Sequence, residues 1–243
     1  MKSRFLLAWL CCLLAVPWSR AGIPAFGVPE QDLGIAIEQT APARYPPSML
    51  QSGVYSGEVR AMISVNSDGD LTDCLVTAYT DKAFAVAAEH ALRLWRYEPA
   101  RIRGRARASR AEVVFMFRNE GVSVQSLPGA IERHLLLRML EERYSYRPCQ
   151  LRELDRIPTP VQVVPPAVRL EDKTRSVTVE FYIDEEGRVR MPAVERESAD
   201  DLLAAAAVAA VEQWRFEPPL RKGRPVLVYA QQEFNFKARE PAR

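Results

Sequence analysis

The chain has 243 residues, of which 48% are apolar and 26% charged, and a formal net charge of +2. This composition excludes a disordered tail, a collagen-like fibre and a polytopic membrane protein, and the length allows one large domain or two small ones. The balanced charge argues against a general nucleic-acid binder, and only two histidines are present to serve histidine-based catalysis or metal binding.

Lys2 and Arg4 precede an unbroken apolar run over residues 5–16. Pro17 breaks the run, and Ser19 and Ala21 set small residues at the −3 and −1 positions of a cleavage site before Gly22. Residues 1–21 therefore read as a cleaved secretory signal peptide. The run is short of the roughly 20 apolar residues that a spanning helix needs. Trp9 and Leu10, ahead of Cys11 and Cys12, stand where a lipoprotein signal wants small residues. Loss of the three cations Lys2, Arg4 and Arg20 takes the formal charge from +2 to −1. Cys74 and Cys149 remain in the exported chain. In an oxidising compartment they either pair as a disulfide or sit as separate buried thiols, and both readings are open.

From residue 41 the chain sets out one unit. An extended prolyl segment, Tyr45-Pro46-Pro47, comes first. Val59, Ala61, Ile63 and Val65 alternate with Glu58, Arg60, Met62 and Ser64, which predicts a strand with one buried face. Asp68-Gly69 turns the chain into a second strand. Phe84, Ala87, Ala91 and Trp95 share one helical face, and Pro99 forbids that helix to continue. Val113, Phe115 and Phe117 mark a last strand.

The same landmarks return 118 or 119 residues later. Trp95-Arg96-Tyr97-Glu98-Pro99 matches Trp214-Arg215-Phe216-Glu217-Pro218, Gly104 matches Gly223, and Phe115-Met116-Phe117 matches Phe234-Asn235-Phe236. Val65-Asn66-Ser67-Asp68-Gly69 matches Ile183-Asp184-Glu185-Glu186-Gly187, and Pro46-Pro47 matches Pro165-Pro166. The predicted fold class is α+β: two homologous ββαβ units at 41–120 and 158–239, each a small antiparallel sheet with one packed helix. Residues 121–157 read as a helical linker with extended flanks. Its apolar arc, Ile131, Leu135, Leu136, Met139 and Leu140, is expected to cover the open face of the first sheet at Met62, Val114 and Met116.

Other features carry bland readings. Trp95 and Trp214 lie on buried helical faces and read as core. Asn66, Asp68, Asp70 and Asp73 lack the glycine position of a calcium loop and read as a solvated hairpin tip. His90 and His134 have no ligand pattern around them. No nucleophile elbow, zinc-protease helix or phosphate-binding loop is present, so neither an enzyme nor a cofactor nor a metal site is expected. Arg101, Arg103, Arg105, Arg107 and Arg110 form a dense basic loop, read as solvated surface or as a contact for an anionic surface or acidic partner.

The first unit resembles the C-terminal domain of the TonB energy-transducer family. The carrying residues are Tyr45-Pro46, Gly57-Glu58-Val59, Asp68-Gly69 and Trp95-Arg96-Tyr97-Glu98-Pro99, with the strand that follows. The second unit resembles a diverged copy, with Phe216 for Tyr97 and Val164 for Tyr45. The resemblance implies a periplasmic domain whose last strand is a sheet edge that accepts an extended peptide from a partner such as an outer-membrane receptor. Carried over, the partner-binding residues are Tyr45 and Pro46 with Arg110, Glu112, Val113, Val114, Phe115, Met116, Phe117 and Arg118; residues 226–236 are the counterpart. The chain lacks the long proline-rich spacer and the membrane anchor of true transducers, so a binding or adaptor role in envelope transport is expected rather than energy transduction. The alternative is a structural scaffold of the envelope that captures no peptide.

Overall fold

The computed structural model describes residues 34–102, 104–127, 143–168, 175–194 and 201–236. Strand β1 (Ala36–Gln39) leads to a single helical turn, α1 (Pro47–Gln51), with proline at the position where a missing N–H costs no bond. β2 (Ser56–Val65) and β3 (Leu71–Tyr79) form a hairpin. Val59, Ala61, Ile63 and Val65 are buried on one face of it, as their alternation predicts.

Helix α2 (Lys82–Leu94) starts where the Asp81 carboxylate accepts the Ala83 N–H at 2.8 Å. It lays Phe84, Ala88, Ala91 and Leu92 on the buried face of the sheet. The helix stops before Pro99 is reached, because Trp95 turns extended and β4 (Arg96–Glu98) pairs with β1. The Tyr97 hydroxyl donates at 2.8 Å to the Leu92 carbonyl, which the Trp95 N–H reaches only at 3.4 Å, and so reinforces the end of the helix. A small hairpin of β5 (Ala100–Ile102) and β6 (Arg105–Arg107) follows. β7 (Ser109–Arg118) then returns along β2, and β8 (Gly121–Leu127) folds back on β7.

The second unit repeats the plan with β9 (Pro160–Gln162), β10 (Arg175–Ile183), β11 (Val189–Val194), α3 (Asp201–Val211) and β12 (Arg215–Phe216), the last paired with β9. The hairpin β13 (Leu220–Arg221) and β14 (Arg224–Pro225) precedes the final β15 (Val228–Phe236). Val177, Val179, Phe181 and Ile183 of β10 join Leu203, Ala207, Val211 and Trp214 in a second core.

Two local devices recur. Asn66 accepts the Asp68 and Asp70 N–H groups at 2.9 and 2.8 Å, and Asp184 accepts those of Glu186 and Arg188 at 3.2 and 2.8 Å, so one side chain closes each hairpin tip. The Trp95 indole donates to the Ala41 carbonyl at 2.7 Å, and that of Trp214 to Val164 at 2.8 Å. The second pair corrects the alignment of the prolyl segments. Ala41-Pro42, not Pro46-Pro47, is the counterpart of Val164-Pro165, and Tyr45 answers to Val168, which packs on the second core as Tyr45 packs on the first.

The two sheets meet through their helix-free faces. Met62 and Leu75 of the first unit pack with Tyr182, Met191 and Leu227 of the second, flanked by Tyr146 and Tyr229. The face expected to receive the linker helix is thus covered at Met62 by the second unit. Among the described residues of 121–157 the structure shows strand β8 and a 3-10 turn at Leu151–Glu153. The expected apolar helix, like the signal peptide at 1–21, lies outside the described residues.

Candidate functional site

The expected accepting strand of the first unit is not an edge. The sheet order is β3-β2-β7-β8, so β7 has a partner on both sides. Its peptide groups pair with β2 from Ser109 to Arg118 and with β8 from Glu112 to Arg118. The cause lies in the Asn119-Glu120 turn, which returns the chain at once as Gly121–Leu127. Residues 110–118 therefore serve the fold. Val113, Phe115 and Phe117 are core, and Val114 is buried on the opposite face. Met116 and Arg118 line a cavity of about 270 Å³ beside Glu58 and Thr80.

Glu112 accepts from Arg60 at 3.1 Å, within a cluster in which Tyr144 donates to Glu58 and accepts from Arg60 Nε at 3.1 Å. Burial and the bond to Glu58 push the Tyr144 phenol up to about 12, against the pull of Arg60. Arg110 donates to the Met191 carbonyl of the second unit and lies 3.7 Å from Glu180. Tyr45 stands edge-on to Phe84 and Phe117, with ring centroids 5.3 and 6.4 Å away, and its hydroxyl donates to the Val54 carbonyl at 2.7 Å. Pro46 caps α1. Both residues position the first core.

Cys74 and Cys149 are free. Cys74 packs against the first core and Cys149 sits within the second, so the disulfide reading is corrected: the thiols belong to different hydrophobic clusters. Burial pushes the Cys74 thiol up to about 11. Burial also raises that of Cys149, opposed by Arg221 at 3.8 Å.

An open border lies in the second unit, where the order is β11-β10-β15 and β15 is terminal. It is paired with β10 without a bulge from Val228 to Phe236. At its start, Cys149 donates to the Leu227 carbonyl at 2.8 Å and accepts the Tyr229 N–H at 3.1 Å, both on the side away from β10. Outward and inward peptide groups alternate along an antiparallel strand, so Gln231, Glu233 and Asn235 also direct theirs outward. Among the described residues no strand pairs with that border beyond Tyr229. Val228, Ala230 and Phe236 anchor the strand in the core, while Gln231, Glu233 and Asn235 are exposed. The alternation of 226–236 made this strand legible. What could not be read was that the first copy covers β7 with β8, which becomes the terminal strand, whereas β15 of the second copy stays terminal.

The connecting residues bind the two units together. Tyr146 stacks on Tyr79 of the first unit, with centroids 4.8 Å apart, and donates to Glu185 of the second. Burial and the bond to Glu185 raise the Tyr146 phenol well above its ordinary value. Arg147 clamps Glu153 with two bonds of 3.0 and 2.8 Å, which holds that carboxyl below its usual range.

No helix among the described residues is long and apolar enough to cross a membrane. Comparison with curated proteins returned no match. The family profile described as Gram-negative bacterial TonB protein C-terminal matches residues 41–118 and again 163–238. These are the two sheet-and-helix units described above, and together they make up more than half of the chain, which therefore belongs to the TonB C-terminal domain family and carries that non-catalytic, periplasmic domain twice.

Proposed function

We propose that the protein is a periplasmic binding and adaptor module of envelope transport, exported by a cleaved signal at 1–21, that captures an extended partner peptide by strand addition on β15. The border position of β15 carries this reading. Its outward N–H and C=O groups at Gln231, Glu233 and Asn235 can be satisfied by an added strand. Nine residues held in register on β10 present those groups as a rigid template, which lowers the ordering cost of binding. The family's usual partners, outer-membrane receptors, supply the partner class.

The packing of the two sheets against one another favours a second reading, a structural scaffold that captures no peptide. One titration separates the two. A fluorescent peptide carrying a receptor's TonB box is added to the full chain and to Glu233→Pro, which deletes one outward N–H at a border where proline is tolerated. Strand capture requires that the native chain bind and the variant lose at least about tenfold in affinity with its melting temperature kept, the worth of one charge-free hydrogen bond. A native chain that ignores the peptide supports the scaffold.

A further inference from the structure

We infer that the β5–β6 hairpin of the first unit docks on an anionic phospholipid surface. Ala100–Ile102 and Arg105–Arg107 form a two-stranded sheet of their own. The pairs are Ala100 with Arg107, Arg101 with Ala106, and Ile102 with Arg105. Paired residues share a face, so Arg105 and Arg107 project on the side of Ile102, and Arg101 on the other. All three arginines are exposed, and Ile102 is 42% exposed beside them. No acidic residue occurs in 99–111. Arg110, the last cation of the basic run, is diverted to the second unit by Met191 and Glu180, so the hairpin alone carries the surface charge.

The second copy serves as an internal comparison, because there the same element is tied to the connecting segment. Leu220, half-buried, stands at the position of Arg101. Arg221 reaches Glu153 at 3.5 Å, and the Asp155 carboxylate accepts the Lys222 and Gly223 N–H groups, both at 2.7 Å. The first hairpin exposes Arg101 on one face and Arg105 and Arg107 on the other, with an apolar side chain near its tip. A strip of acidic peptide would meet one face only. A layer of lipid phosphates surrounds a finger that enters it, pairs with guanidinium forks and receives Ile102 below the headgroups.

The test is co-sedimentation of the full chain with vesicles of phosphatidylglycerol in phosphatidylcholine, and with phosphatidylcholine alone, at low and high salt. Each arginine near an anionic surface contributes roughly fivefold in partitioning. The combined Arg101→Gln, Arg105→Gln and Arg107→Gln variant should therefore bind the anionic vesicles about a hundredfold more weakly, with an unchanged circular-dichroism melt. Should that variant fail to fold, the three single substitutions are read instead, each about fivefold. Lys222→Gln with Arg224→Gln should cost less than one first-hairpin arginine. High salt should remove most of the native binding. Equal binding to both vesicle types, a triple variant that binds like the native chain, or a native chain that binds soluble polyglutamate but not the anionic vesicles would overturn the assignment.

Discussion

Arg190 of β11 grips Asp73 of β3 across the contact between the two units. Its Nε lies 3.0 Å from one carboxylate oxygen, its Nη2 donates to the other, and the same nitrogen reaches the Cys74 carbonyl at 3.2 Å. Both side chains are about a quarter exposed, so the pair keeps much of its strength without the full desolvation cost of a deep ion pair. Arg190→Met should destabilise the chain by about 1–3 kcal/mol, since three charge-assisted bonds go and Asp73 is left half-buried. Urea unfolding of Arg190→Met, Asp73→Asn and the double variant measures the coupling, expected at about 1–2 kcal/mol. Strictly additive single effects would show that the Arg190–Asp73 pair adds nothing to a contact held by its other members.

The repeated hairpin tips make a paired prediction. Gly69 and Gly187 adopt φ +91° and +78°. A Cβ on Gly69 would lie 2.6 Å from the Tyr97 carbonyl oxygen, and one on Gly187 2.0 Å from that of Phe216. Alanine at either position therefore meets both left-handed backbone and a rigid carbonyl. Each substitution should cost about 1–3 kcal/mol, more at Gly187, where the Phe216 N–H also bonds to the glycine carbonyl at 2.8 Å. Thermal unfolding of the two variants checks the order; equal melting points would mean that the strand after the helix yields easily.

The hairpin tips and the burial of the two tryptophans were legible because they depend on neighbours within one unit, whereas the tryptophan bonds to Ala41 and Val164 were not, and they overturn the expected match of the prolyl segments. An Asp-Gly or Glu-Gly step between two alternating runs, and a Trp on the apolar face of a helix that a Glu-Pro step ends, specify their own geometry. The sheet borders were not legible in the same way. Val122 and Val124 after the Asn119-Glu120 turn carry only a weak strand signal, so the closing of β7 was hidden in a segment read as linker. The partner of Met62 was also beyond reach. An apolar residue on an outer face announces that something covers it, but Tyr182, Met191 and Leu227 lie more than a hundred residues away in sequence. Arg110 shows the same limit, since its role depends on a carbonyl and a carboxylate of the other unit.

The separation of the two thiols gives a chemical prediction. Cys74 and Cys149 belong to different cores, and burial raises both thiols. The thiolate is the reactive form, so both should alkylate far more slowly than a free cysteine near about pH 8. Iodoacetamide should modify neither in the native chain within minutes and both once denaturant is added, without any reductant. Failure of the unfolded, unreduced chain to react would mean that the residues are bonded to one another.

Base should unfold the protein through its buried phenols. Tyr97, Tyr144 and Tyr146 are all raised above the ordinary value, first by burial; Tyr144 is then raised by Glu58 and Tyr146 by Glu185. Each folded phenol holds its proton more tightly than the unfolded one. The stability this contributes is therefore complete below the unfolded value of 10.0 and is lost as pH climbs through the folded value, about 12 for Tyr144. For Tyr144 alone the shift corresponds to roughly 3 kcal/mol. Unfolding free energies between about pH 9 and about pH 11.5 should fall steeply, and tyrosinate absorbance should show a group of phenols that ionises only as the fold is lost. Tyr144→Phe should lower stability at neutral pH, because Glu58 and Arg60 each lose a bond, and should flatten the alkaline slope. A native-like slope in that variant would assign the base sensitivity to Tyr97, whose hydroxyl caps α2, and to Tyr146, which joins the two units.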